Sequence, residues 1–158
     1  MNADRSPTDA PQTAPAVLAD EDRAFCATQA RWLDACATFG GIGLFAAGLA
    51  ALCLVTGAGN DALRAFAFAA VALLPFERFL ALRLRFDRGL FADLAAGRIA
   101  DLPALDRALA ASGLRRAADG PTRTLADRVR GTRRLWRAHA AVAAVQLLLS
   151  LGAAALRF

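Results

Sequence analysis

From Asp20 onward, stretches with a polar face at helical spacing alternate with stretches that have no polar face at all. Ala35 to Asn60 (ACATFGGIGLFAAGLAALCLVTGAGN) runs 26 residues without a charge, more than the roughly 20 that carry a helix across a hydrocarbon core. A soluble helix would break such a run with a polar residue every third or fourth position. Ala138 to Leu156 is a second long run, 19 residues with His139 as its sole ionisable group. Between them DALRAFAFAAVALLPFERFLALRLRF is charge-free only from Ala65 to Phe76, about 18 Å at helical rise. The pattern predicts an all-α integral membrane protein with three transmembrane helices over about 35–57, 62–82 and 137–157. The membrane domain is 35–158, and a cytoplasmic helical insert occupies 83–136.

The flanks follow the same logic. Residues 1–18, rich in Pro, Ala, Thr and Asp, contain no apolar run and predict a disordered tail. They also lack the charged start and apolar centre of a secretory signal. Over 19–34, Asp20, Glu21 and Asp22 open a helix at its positive end, and Leu18, Phe25, Gln29 and Trp32 or Leu33 recur at helical spacing. That segment reads either as an amphipathic interfacial helix or as a short helix packed on the rest of the protein.

The insert carries helix punctuation. The second span continues through Leu84, Phe86, Leu90, Phe91 and Leu94 to a stop at Gly97. Asp101 with Pro103 opens a short helix that ends at Gly113. Thr124 to Asp127 resembles a capping box, and Leu125, Val129, Thr132 and Trp136 then form a stripe running into the third span. Leu94, Leu105, Leu109 and Leu125 are expected to pack together.

Charge sets the orientation. Thirteen arginines and six aspartates lie between Arg83 and Arg137, which puts that segment in the cytoplasm by the positive-inside rule. Trp32 and Trp136 each precede an apolar run, as interfacial aromatics do. The expected location is the bacterial inner membrane, with the N-terminal side cytoplasmic and the C-terminal end external. Every basic residue is Arg and none is Lys, a usage that suggests a GC-rich bacterial genome rather than a function for Arg. Cys26, Cys36 and Cys53 have neither disulfide nor zinc spacing.

Four constellations invite a functional reading. Glu77 and Arg78 follow Pro75 inside the second span, where an ion is expensive. They either snorkel to the cytoplasmic headgroups, the favoured reading, or Glu77 turns inward to meet a partner. His139, Gln146 and Ser150 share one face of the third span with Ala143, and His139 enters from the same side as Glu77. These groups suit interhelical hydrogen bonding or, alternatively, a proton or ion track. Gly43, Ala47 and Ala51 form a small-residue stripe for helix packing. Arg128, Arg130, Arg133, Arg134 and Arg137 stand where anionic lipid headgroups would meet them. No aromatic residues interleave with these arginines to stack bases, so nucleic acid is not an expected partner.

No Walker loop, GxGxxG, HExxH or GxSxG motif occurs, so no catalytic, cofactor or metal site is expected. The favoured function is a small non-enzymatic inner-membrane accessory or scaffold subunit docking a larger membrane protein. The alternative is a homo-oligomeric pore or small proton or ion transporter using the Glu77, His139, Gln146 and Ser150 track.

Overall fold

A computed structural model describes residues 18–56, 61–114 and 123–156. Residues 1–17 of the expected tail, residues 57–60 of the turn that its glycines and Asn60 predict over 57–61, and the helix break predicted at Gly120-Pro121 lie outside the described residues. Those described form six helices and no strand: α1 (Asp20–Cys36), α2 (Phe39–Thr56), α3 (Asp61–Ala72), α4 (Leu74–Ala95), α5 (Leu102–Ala111) and α6 (Leu125–Ala155). Three rods emerge, α1 with α2, α3 with α4, and α6 alone, each long and apolar enough to cross a membrane.

Two rods contain a local break. Between α1 and α2, Gly40 N–H bonds the Ala37 carbonyl and Gly41 N–H the Thr38 carbonyl, a three-residue tightening just ahead of two poor helix formers. Between α3 and α4 the break falls at Leu73, two residues before Pro75, which has no N–H to continue the ladder. Leu73 and Glu77 nevertheless keep bonds to the carbonyls four residues back, so the rod carries on past the proline. The single helices expected at 35–57 and 62–82 are each resolved into segments at these points.

The insert is folded as its punctuation requires. Asp101 accepts the Ala104 N–H at 2.6 Å, Gly97 and Gly113 both take a φ of +69°, and Thr124 accepts the Asp127 N–H at 3.2 Å. Leu94 and Leu105 are buried, with Leu109 and Leu125 packed against the same cluster alongside Cys26, Leu33, Phe91 and Val129. α1 lies along α4 and buries Cys26, Gln29, Ala30, Leu33 and Cys36. The Leu18 N–H also reaches the Ala100 carbonyl at 3.3 Å. Burial of each large side chain stabilises this stub by about 1.5–3 kcal/mol.

A second cluster, built mainly from alanines (Ala50, Ala67, Ala70, Ala153) with Cys53 and Leu63, joins α2, α3 and α6 at the opposite end. On α6, Val129, Thr132, His139, Ala143, Gln146, Ser150 and Ala153 are all buried. Together with half-buried Trp136 they step by three and four residues alternately, which is the seam spacing of a coiled coil.

Candidate functional site: a buried polar seam

The midpoint of the bundle holds an ion cluster. Glu77, on the first turn of α4 after Pro75, is fully buried, and His139 of α6 is 2% exposed. Glu77 Oε1 lies 2.7 Å from His139 Nε2. Arg78 curls back on its neighbour, donating from Nε to Glu77 Oε2 at 2.5 Å and from Nη2 to Oε1 at 2.8 Å. The same Nη2 reaches the Gly40 carbonyl of α2 at 2.5 Å. Three rods therefore meet on one carboxylate. With Glu77 ionised and Arg78 charged, an imidazole donating from Nε2 supplies a third hydrogen bond without adding a charge.

Glycines make this approach possible. A Cβ on Gly43 would stand 2.9 Å from Glu77 Cδ, and one on Gly40 would stand 3.3 Å from Arg78 Nη2. The carboxylate is seated directly against the α2 backbone. The sequence carries both features, Gly40-Gly41-Ile42-Gly43 in one apolar run and an acid in the next, but their pairing needs the register between the helices.

The seam continues along α6. Gln146 Nε2 donates to the Ala70 carbonyl of α3 at 3.0 Å. Ser150 Oγ lies 2.8 Å from both the Ala46 carbonyl of α2 and the Gln146 carbonyl, so its one proton is shared. Toward the stub, Thr132 Oγ1 donates to Asp87 Oδ2 at 3.1 Å. Burial pushes the Asp87 carboxyl above its usual range, against the opposing pull of Arg83, the Thr132 hydroxyl and Arg128. His139 Nδ1 and Gln146 Oε1 are buried without a hydrogen-bond partner among the described residues.

The expected site residues divide accordingly. Glu77 does not snorkel: it faces the interior, and Arg78, although 41% exposed in its side chain, folds back onto it. His139, Gln146 and Ser150 fall on one buried face, as their spacing implies. Gly43 and Ala47 are buried but Ala51 is exposed, and the α2 contact runs instead through Gly40, Gly43, Ala46, Ala47, Ala50 and Cys53. Strict four-residue steps advance about 40° each around a helix, so the third member rotates off the face. Arg128 is also displaced from its expected role, because it is largely buried in an ion pair with Asp106 of α5. Arg130 pairs with Asp127 at 3.2 Å; Arg133, Arg134 and Arg137 are exposed.

Outside, the half of the bundle away from the stub shows large apolar side chains: Phe45, Val55, Phe68, Phe79, Leu82 and Leu148 are each more than 60% exposed. Trp32 and Trp136, one in each of the flanking rods, pack at 5.4 Å between ring centroids, and Phe39 meets Trp136 edge-on at 6.1 Å. No three His, Cys, Asp or Glu side chains converge among the described residues. Compared with protein-family models, curated proteins and solved structures, the chain matches none.

Proposed function

We propose that this chain is a multi-pass membrane protein of the bacterial inner membrane that serves as a non-enzymatic accessory or scaffold subunit. Its Arg-rich stub and both tryptophans lie on the cytoplasmic side, and its helical stub is presented to a larger membrane protein. The observation that carries the reading is the inverted polarity of the spanning half: paired polar groups inside, large apolar side chains outside. Water-soluble bundles bury such side chains, whereas lipid tails solvate them. Closure of the seam favours a scaffold over a conduit, because Glu77 is held by three groups and packed against Gly43.

One observation favours a second reading, a small proton transporter. His139 Nδ1 and Gln146 Oε1 are buried acceptor positions without partners among the described residues, two turns apart on one helix face. Reconstitution into liposomes with an internal pH-sensitive dye separates the two. The scaffold reading expects no proton flux under an imposed gradient and a stoichiometric membrane partner that is lost on deleting 98–114. Flux abolished by Glu77→Gln would overturn it. Orientation is tested with Asp61→Cys and Ser112→Cys in a cysteine-free background, both positions being exposed. An impermeant thiol reagent added to spheroplasts should label the first and spare the second.

A further inference from the structure

We infer that the groove between α1 and α6 at the cytoplasmic edge of the apolar belt is a binding site for the phosphate headgroup of an anionic phospholipid. This deepens the membrane reading above and rests on it. The groove, about 330 Å³, is lined by Thr28, Gln29, Trp32, Arg133, Trp136 and Arg137. Arg133 and Arg137 are one helical turn apart, so their guanidinium groups project from the same face. Neither is paired with a carboxylate among the described residues, unlike Arg128 and Arg130 beside them. Two uncommitted guanidinium groups side by side suit a phosphodiester, whose oxygens accept forked hydrogen bonds. Gln29, a residue only 7% exposed, also lines the groove, and its side-chain amide has no hydrogen-bond partner among the described residues.

The surroundings select a lipid over a soluble phosphate. The tilted indole pair forms the wall, and Trp is the residue that sits at headgroup depth. Phe39, edge-on to Trp136, continues that wall and is 39% exposed, followed by Ile42 at 41%. An acyl chain leaving the headgroup would descend over these two side chains into the apolar belt. A free phosphate has no use for that ramp.

Trp32 and Trp136 are the only tryptophans and tyrosine is absent, so intrinsic fluorescence reports this groove. The full chain is reconstituted in neutral lipid and titrated with phosphatidylglycerol carrying brominated acyl chains. Quenching should saturate at a mole fraction about thirtyfold lower than with brominated phosphatidylcholine, since each of the two arginines near an anionic surface is worth about fivefold. Arg133→Gln with Arg137→Gln should abolish that preference. Arg130→Gln with Arg134→Gln, the same change in charge outside the groove, should leave part of it, the loss being several-fold smaller than for the groove pair. Equal losses in the two double variants, or equal quenching by both lipids, would overturn the site. Reversal of quenching by inorganic phosphate would assign the groove to a soluble ligand and overturn the lipid. Absence of quenching while the chain resists alkaline carbonate extraction would overturn the site alone; extraction by carbonate would overturn the membrane reading beneath it.

Discussion

The two ends of the bundle are built on opposite rules. The stub is assembled like a small soluble domain, with Leu94, Leu105, Phe91 and Cys26 inside and ion pairs such as Arg88 to Asp34 at 2.6 Å on its surface. The apolar half puts alanine, glycine and hydrogen-bonded polar groups inside and phenylalanine and leucine outside. Burying a leucine is a driving force only where the outside is water. Where the outside is hydrocarbon, cohesion comes from close backbone approach and from polar groups with nowhere else to bond. One helix, α6, obeys both rules in turn, and its seam passes from Val129 to Gln146 and Ser150 without changing register.

The comparison breaks most sharply at Glu77. Replacing it with Ala strands the Arg78 and His139 donors at the point where three rods meet, and loss of one partner of a buried pair costs about 3–5 kcal/mol. Thermal unfolding in detergent should show a large fall for Glu77→Ala and a much smaller one for Glu77→Gln, which retains shape and an acceptor. Leu105→Ala is the counterpart in the stub, expected to cost about 2–5 kcal/mol. Hydrogen exchange should then accelerate over 90–112 while α2 and the C-terminal half of α6 stay protected. Loss of protection throughout would mean that the two halves form one cooperative unit.

Gly43→Ala and Gly48→Ala sharpen the contrast within a single helix. A Cβ at position 43 meets the Glu77 carboxyl at 2.9 Å, whereas nothing lies within 4 Å of one at position 48. The first should destabilise by about 1–3 kcal/mol as an overpacked site, and the second should stabilise by up to about 1 kcal/mol through helix propensity. Asp87 gives the stub a pH signature. Its folded pKa is raised by burial above the usual 3.8, so the native state holds the proton more tightly than the unfolded chain. That contribution is fully present below 3.8 and is lost as pH rises through the folded value. Asp87→Asn should flatten this dependence and raise the melting temperature at neutral pH. Ser150→Ala is expected to be the mildest change, about 0.6 kcal/mol for one interhelical contact in a membrane.

Much of this architecture was legible because its signals are local. A charge-free run, a proline, Gly97 and Gly113 at positive φ and the caps at Asp101 and Thr124 depend on a few neighbouring residues. The α6 face was legible as well, because one helix fixes the directions of His139, Gln146 and Ser150. Features that depend on two helices were not. Whether Glu77 turns inward rests on Gly43 standing opposite, and whether Arg128 meets lipid rests on Asp106 of α5 arriving first. The exposed position of Ala51 follows from helical drift, which a three-member pattern is too short to display.

The link between Glu77 and His139 also sets an order of events during synthesis. The two residues are 62 positions apart, so at 5–20 residues per second the acid is made roughly 3–12 s before its imidazole. Arg78, its immediate neighbour, and Gly40, already made, are in place from the start. In a membrane, the first two rods would therefore enter with a provisional neutralised pair, and the last helix would complete the junction. A ribosome stalled before residue 139 should hold a nascent chain whose Glu77 can still be reached by a carboxyl-reactive reagent, and release of the finished chain should close that access.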